Sequence, residues 1–297
     1  LEALSLDKQF NSLEDGTFSS KQSPFQIYYK HYLDCEESEI YHFIFLHGAV
    51  EHHANHEDFF SHLRKKFKGK NIISTFDLIG HGLSGGPRSH VDDIEVYLQD
   101  ALHFFEICKE LKNEKNKKYI LIGFSLGGLI GLSILLNKNK KIPLEFYKAI
   151  WISPCIKPSS WVPKVVVNMV RGLPIELQKI RLTNPIEGHD LTHSHKKAMK
   201  FNTDSLISKF VTIRMGLVIM EAAKKIAGLS YYLKTPSLFL ISDNDKVVNS
   251  EAAKLFAYGV DKKYSKVVVY PEAKHDLLNE NIAQSIYNEI EVFIKGK

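Results

Sequence analysis

The chain has 297 residues, 44% hydrophobic and 25% charged, with a formal net charge of +5 from 39 basic and 34 acidic residues. That balance belongs to a soluble globular protein large enough to bury an extensive core without disulfide or metal staples. No arginine stripe with interleaved aromatics occurs, which argues against nucleic-acid binding, and the three cysteines, Cys35, Cys108 and Cys155, match neither a disulfide framework nor a zinc-finger spacing.

In chain order, short apolar runs predict strands over residues 26–32 and 40–46. A helix follows over 59–67, behind the acidic pair Glu57 and Asp58 that suits a helix start, and then a strand over 71–76. Residues 91–111 carry acidic groups early and Lys109 late, which predicts a helix aligned with its own dipole. The stretch 119–136 has no charge and is long enough to raise the question of a membrane span. Four glycines and two serines inside it predict instead a buried strand over 119–123, a turn and a buried helix.

A further strand is predicted over 149–153, after which the alternation stops. Residues 154–233 show helical periodicity, no clear strand and prolines through their first half. They read as a helical cap inserted between a core of residues 1–153 and its completion at 234–297. Strands over 237–241 and 266–270 and helices over 250–258 and 281–294 close the chain. Strands apolar on both faces, alternating with helices, predict a doubly wound, mostly parallel α/β sheet.

The sharpest motif is Gly123-Phe124-Ser125-Leu126-Gly127-Gly128, set between a strand and an apolar helix. This is the context of a nucleophile elbow, in which a strained turn lifts the serine hydroxyl above the sheet. A nucleophilic serine needs a base and an acid to orient it, and in this fold type the acid and then the histidine follow the serine along the chain. His275 lies just beyond the strand over 266–270, and Asp243 and Asp245 lie just beyond that over 237–241; spacing does not choose between the two acids. The oxyanion hole is assigned to the backbone N–H groups of Leu126, after the nucleophile, and of Ala49, in the loop His47-Gly48-Ala49. His47, His52, His53 and His56, and separately His189, His193 and His195, form clusters without a metal-ligand spacing, and read as solvated loop histidines with no metal. Two apolar cap helices, over 161–170 and 210–220, put forward Met169 and Leu217 as contacts for an acyl chain.

Taken together, His47-Gly48-Ala49 with Glu51-His52, then Phe76-Asp77 with Gly80-His81-Gly82 and Ser84, then the elbow, then Ser242 to Val247 and Pro271 to His275, resemble the monoacylglycerol lipase and lysophospholipase group of α/β-hydrolases over about residues 25 to 294. The resemblance implies an eight-stranded core, a mobile cap over an apolar acyl tunnel, and no metal or organic cofactor. It favours Asp245 over Asp243, makes Asp77 and His81 structural, and places Glu51 near the polar head-group site. The chain has Phe124 where the lipases often carry histidine, Val50 where they often have glycine, and Asn55 in place of a basic residue, so its head-group side is less polar and less basic.

The expected activity is therefore carboxylic ester hydrolysis through an acyl-enzyme on monoacylglycerol, lysophospholipid or similar lipid-like esters. A short-chain esterase, thioesterase or serine peptidase on the same triad, and a non-catalytic ligand-binding protein of this fold, are the alternatives. The expected partners are a small-molecule or lipid ester and a membrane surface touched transiently through the cap, with no nucleic acid and no protein. Location stays open, with the cytoplasm or a membrane periphery favoured.

Overall fold

The computed structural model describes residues 12–35, 39–111, 116–159 and 164–296. Strands β1 (Ser12–Ser19), β2 (Gln26–Cys35) and β3 (Ile40–Leu46) lead to helix α1 (Glu57–Lys66), β4 (Lys70–Phe76), α2 (Ile94–Glu110), β5 (Lys117–Phe124), α3 (Leu126–Leu136) and β6 (Phe146–Ile152). The intervening segment holds α4 (Lys164–Arg171), α5 (Ile175–Gln178), β7 (Arg181–Thr183), α6 (Gly188–Leu191), α7 (His195–Thr203), β8 (Phe210–Thr212) and α8 (Ile213–Ile226). Strand β9 (Ser237–Ser242), α9 (Ser250–Tyr258), β10 (Ser265–Tyr270) and α10 (Ala283–Lys295) complete the order.

Eight strands form one sheet in the order β1-β2-β4-β3-β5-β6-β9-β10. The pairs β1–β2 and β2–β4 are antiparallel and the others are parallel. The architecture is that of an α/β-hydrolase sheet, as the sequence predicts. Alternate residues along each central strand enter different apolar layers. Ile44, Leu121, Ala149 and Phe239 face a cluster built with α2, α3, α8 and α9. Phe43, Phe45, Ile120, Ile122, Ile150 and Leu238 face a second cluster built with α1 and α10. Burial on both faces explains why these strands read as unbroken apolar runs.

Caps set the helix ends. The Asp93 carboxylate accepts the Glu95 N–H at 2.8 Å, and Asn249 accepts the Ala252 N–H at 2.8 Å. The uncharged stretch over 119–136 resolves into β5 and α3, and among the described residues no helix is long and apolar enough to cross a membrane.

Three expectations change. Strand β1 was absent from the predicted elements, because its residues are mostly exposed and polar and give no apolar alternation. The segment after β6 is not purely helical, since β7 and β8 pair as a small antiparallel ribbon with Leu182 opposite Val211. The predicted helix over 210–220 is split by Thr212, whose hydroxyl accepts the Met215 N–H at 3.2 Å and so starts α8 at Ile213. The predicted helix over 161–170 begins at residues outside those described; Lys164–Arg171 is helical.

Candidate active site

Ser125 stands between the end of β5 and the start of α3 with φ 50° and ψ −113°. That left-handed φ is strained for a non-glycine residue, and the surroundings enforce it. The Ser125 N–H donates to the Ile152 carbonyl at 3.0 Å, and its own carbonyl accepts from Cys155 N–H at 3.0 Å. The flanking glycines permit the close approach: a Cβ on Gly127 would lie 2.0 Å from the Leu46 oxygen, and one on Gly123 would lie 2.7 Å from the Gly127 oxygen.

The turn brings three distant side chains into line. Ser125 Oγ lies 2.9 Å from His275 Nε2, and His275 Nδ1 lies 2.6 Å from Asp245 Oδ2. The other Asp245 oxygen accepts the N–H groups of Val247 at 2.7 Å and Val248 at 2.9 Å, which fixes the carboxylate. Asp243 faces elsewhere, with Oδ1 2.8 Å from Lys254 Nζ. Burial works against charge on His275, but the Asp245 charge and hydrogen bond outweigh it and raise the imidazole above its ordinary value. The Phe124 ring sits between those of His56 and His275, at centroid distances of 5.2 Å and 5.1 Å. Ser153, at φ 41°, donates its hydroxyl to the His275 carbonyl at 2.8 Å. No sequence signal singled out Ser153, because its role comes from the geometry where β6 ends.

The loop after β3 is braced from within. Glu51 is buried; its Oε1 accepts the Gly48 N–H at 2.6 Å and lies 3.0 Å from His56 Nε2. Burial opposes its charge, but His56 and these hydrogen bonds pull the carboxyl down to about 2. The Leu78 N–H donates to His47 Nε2 at 2.9 Å, so Nδ1 carries the proton and donates to the Gly48 carbonyl at 2.7 Å. Val50 follows at φ 62°, in the left-handed region. Ala49, at the bend, lines the cavity in front of Ser125, while Leu126 begins α3.

The histidines of this loop are not solvated, contrary to expectation: His47, His52, His53 and His56 are all buried. The sequence shows histidines in a loop, but not the carboxylates that Asp77 and Asp204 bring from other segments. Asp77 accepts the backbone N–H and the ring of His53 at 2.9 and 2.8 Å, and the Leu83 N–H at 2.8 Å. His52 Nε2 lies 3.1 Å from Asp204. Among the described residues, His52, His53 and Asp77 are the one group whose donor atoms lie close enough to share an ion, within 4.8 Å of one another. The hydrogen bonds of Asp77 to backbone and to His53 already account for that carboxylate structurally. His189, His193 and His195 are exposed.

The cavity over Ser125 holds about 30 Å³ and is walled by Val50, Glu51, Phe124, Ile186, Leu191, Phe201, Val247, His275 and Asp276. That is room for water and not for an acyl chain. Met169, 69% exposed, and Leu217, buried, are not among its lining residues, so neither expected acyl contact touches this cavity. Helical periodicity marked both as apolar but could not say which way each faces.

This arrangement can carry nucleophilic acyl transfer: a serine, a base within reach of its proton, and a carboxylate that orients the base. Residues 40–282 match the family model described as Serine aminopeptidase, S33 (Hydrolase_4). Human monoglyceride lipase is 25% identical over 258 residues, 84% of this chain and 81% of that one. An abhydrolase domain-containing protein of Dictyostelium discoideum is 24% identical over 254 residues, 85% of this chain; the chain spans only 26% of that relative's length. The crystal structure of a soluble variant of Saccharomyces cerevisiae monoglyceride lipase, in complex with a substrate analogue, shares the fold with a TM-score of 0.77 at 16% identity, over 97% of this chain and 96% of that one.

Proposed function

We propose, from the premise that the chain belongs to this S33-type serine hydrolase family of α/β-hydrolases, that it hydrolyses carboxylic esters of lipid-like acids, with monoacylglycerol or lysophospholipid as the leading class. The observation that carries the reading is the line from Ser125 Oγ to His275 Nε2 at 2.9 Å and from His275 Nδ1 to Asp245 at 2.6 Å.

In this reading Ser125 Oγ attacks the acyl carbon while His275 Nε2 takes its proton. Asp245 holds the imidazole in the tautomer that leaves Nε2 free to accept. The Ala49 and Leu126 N–H groups stabilise the oxyanion. The protonated His275 then gives its proton to the leaving alcohol, and a water activated by the same base resolves the acyl-enzyme. These steps need side chains and water alone. Residues 154–233 act as a cap that must shift to admit an acyl chain, and their outer surface touches membranes transiently. The names of the lipase relatives support the lipid class.

The family description favours one further reading, a peptidase releasing N-terminal residues with the same serine. Labelling with a fluorophosphonate, lost in Ser125→Ala, tests the nucleophile. A panel of acyl esters beside aminoacyl anilides then separates the two: turnover of the anilides alone replaces the esterase reading with the peptidase one.

A further inference from the structure

Asp276 follows His275 directly and is 7% exposed. Its Oδ2 accepts the Asn279 Nδ2–H at 2.8 Å, whereas Oδ1 is buried and has no hydrogen-bond partner among the described residues. Its backbone is fixed, with the N–H donating to the Leu191 carbonyl at 2.8 Å, and Asn279 is fixed in turn by the Asn55 carbonyl at 3.1 Å. The carboxyl therefore cannot easily swing to find another partner. It lines two cavities at once: the one over Ser125, and a neighbour bounded by Asn55, Thr192, Lys197, Lys200 and Asn279. The other acid at the site is spent, since both oxygens of Glu51 have donors, Gly48 and His56 on one and Asn55 on the other. A buried carboxyl oxygen left unpaired is unfavourable, and it calls for a donor, a water or a ligand group, from the cavities that Asp276 lines.

We propose that Asp276 is a specificity residue that reads the alcohol half of the ester: its free oxygen binds a hydroxyl of the leaving group, and the second cavity holds the rest of a polyol head. The proposal rests on the ester-hydrolase reading above. Asp276 and His275 line the same cavity over Ser125, so a second hydroxyl of the alcohol that His275 protonates is offered to Asp276. Both ammonium groups of the second cavity are engaged, Lys197 with Asp58 at 2.5 Å and Lys200 with the Ala54 carbonyl at 3.4 Å. A carboxylate accepts a hydrogen bond from a hydroxyl and repels a phosphate, so Asp276, lining both cavities, favours a polyol head. An alcohol without a second hydroxyl leaves Oδ1 unpaired and is discriminated against on that account.

The test compares a 1-acylglycerol with the p-nitrophenyl ester of the same medium-chain acid. In Asp276→Val the ratio of the two kcat/KM values, glycerol ester over p-nitrophenyl ester, falls about 30-fold from wild type, the loss of one buried hydrogen bond to substrate. Asp276→Asn, which keeps a polar group in the same place, holds the ratio within about threefold. A ratio unmoved in Asp276→Val overturns the proposal. Should Asp276→Val fail to fold, the wild type decides. Its acyl-enzyme, formed from the p-nitrophenyl ester, is offered glycerol or 1-propanol at equal concentration. Transfer favouring glycerol several-fold is expected, and transfer favouring propanol, or indifferent, overturns it. Wild type inert toward the p-nitrophenyl ester would instead remove the esterase reading itself.

Discussion

The Gly48 N–H donates to the Glu51 carboxylate at 2.6 Å, one residue before the amide assigned to the oxyanion. Glu51, expected near a polar head group, lines the cavity over Ser125 and also holds the loop, with His56 Nε2 at 3.0 Å and Asn55 Nδ2 at 3.4 Å. A donor placed by this brace matters most when charge develops on the carbonyl oxygen. Glu51→Ala should therefore lower kcat about 10- to 100-fold, in the range of losing an oxyanion donor, with KM changing less than about threefold. Steady-state kinetics on one p-nitrophenyl ester check it. A rise in KM confined to polar-headed esters, measured on such a series, would make contact with the head group the main role of Glu51.

The two candidate acids give a sharper contrast. Asp245 touches His275, and Asp243 is paired with Lys254. Asp245→Asn should cost about 10⁴-fold in kcat by favouring the wrong imidazole tautomer, while Asp243→Asn stays within about threefold. The same contact sets the acid limb of activity. His275 must be neutral to accept the serine proton, and its folded value is raised by Asp245. Thus kcat/KM should fall as pH drops through a midpoint above the ordinary histidine value of about 6.5. A pH profile with its acid midpoint well below that, or equal losses in the two variants, contradicts the assignment.

Stability should also depend on pH, through histidines the chemistry does not use. Burial lowers His31 to about 4 and His81 to about 3, and holds His42 well below the usual range. Their folded values are depressed, so the unfolded chain takes up protons first. Stability is full above about 6.5 and is lost as pH falls toward those folded values. For His31 alone the loss by pH 5 is about 2 kcal/mol. His56 and His275 are raised and act in the opposite sense, fading as pH rises through their folded values. Three deep depressions outweigh them. Thermal unfolding should show Tm falling from pH 7 to pH 5, with a shallower slope in His31→Gln. A Tm independent of pH over that range rules the account out.

What the sequence made legible follows from where its signals are local. The elbow could be read because glycine spacing, strand and helix all lie within one short stretch, and the same holds for the central strands, apolar on both faces. Strand β1 could not, because an exposed edge strand needs no apolar pattern. Burial of the loop histidines depends on Asp77 and Asp204, which lie far along the chain. The unpaired oxygen of Asp276 likewise exists only once the turn after β10, the end of α6 at Leu191 and α7 come together. The direction in which Met169 faces was not encoded in its helical spacing.

That direction motivates the last prediction. Met169 is 69% exposed, Ile180 50% and Phe210 47%, with Ile175, Leu177 and Leu182 also exposed in the same segment between β6 and β9. Soluble proteins rarely gather so many large apolar side chains on an open surface without a use for them. Exposed Arg171, Lys179, Arg181 and Lys209 are interspersed with them in sequence, Arg171 pairing with Glu221 and Lys179 with Glu176. Exposed apolar and cationic side chains together in one segment suit an interface of anionic lipid, where burial and charge attraction act together. The protein should therefore bind vesicles containing phosphatidylglycerol more tightly than neutral ones, and less tightly as salt rises. Ile180→Asp and Phe210→Asp should each weaken that binding about tenfold, the effect of roughly 1.4 kcal/mol. Both should still hydrolyse a soluble short-chain ester at the wild-type rate, since neither residue lines the cavity over Ser125. Met169→Asp separates this account from the acyl-contact reading. If it weakens vesicle binding and leaves the chain-length dependence of soluble esters intact, Met169 belongs to the membrane face. If it flattens that dependence and leaves vesicle binding unchanged, the segment between β6 and β9 must turn Met169 toward the substrate, and the membrane face has to be sought elsewhere.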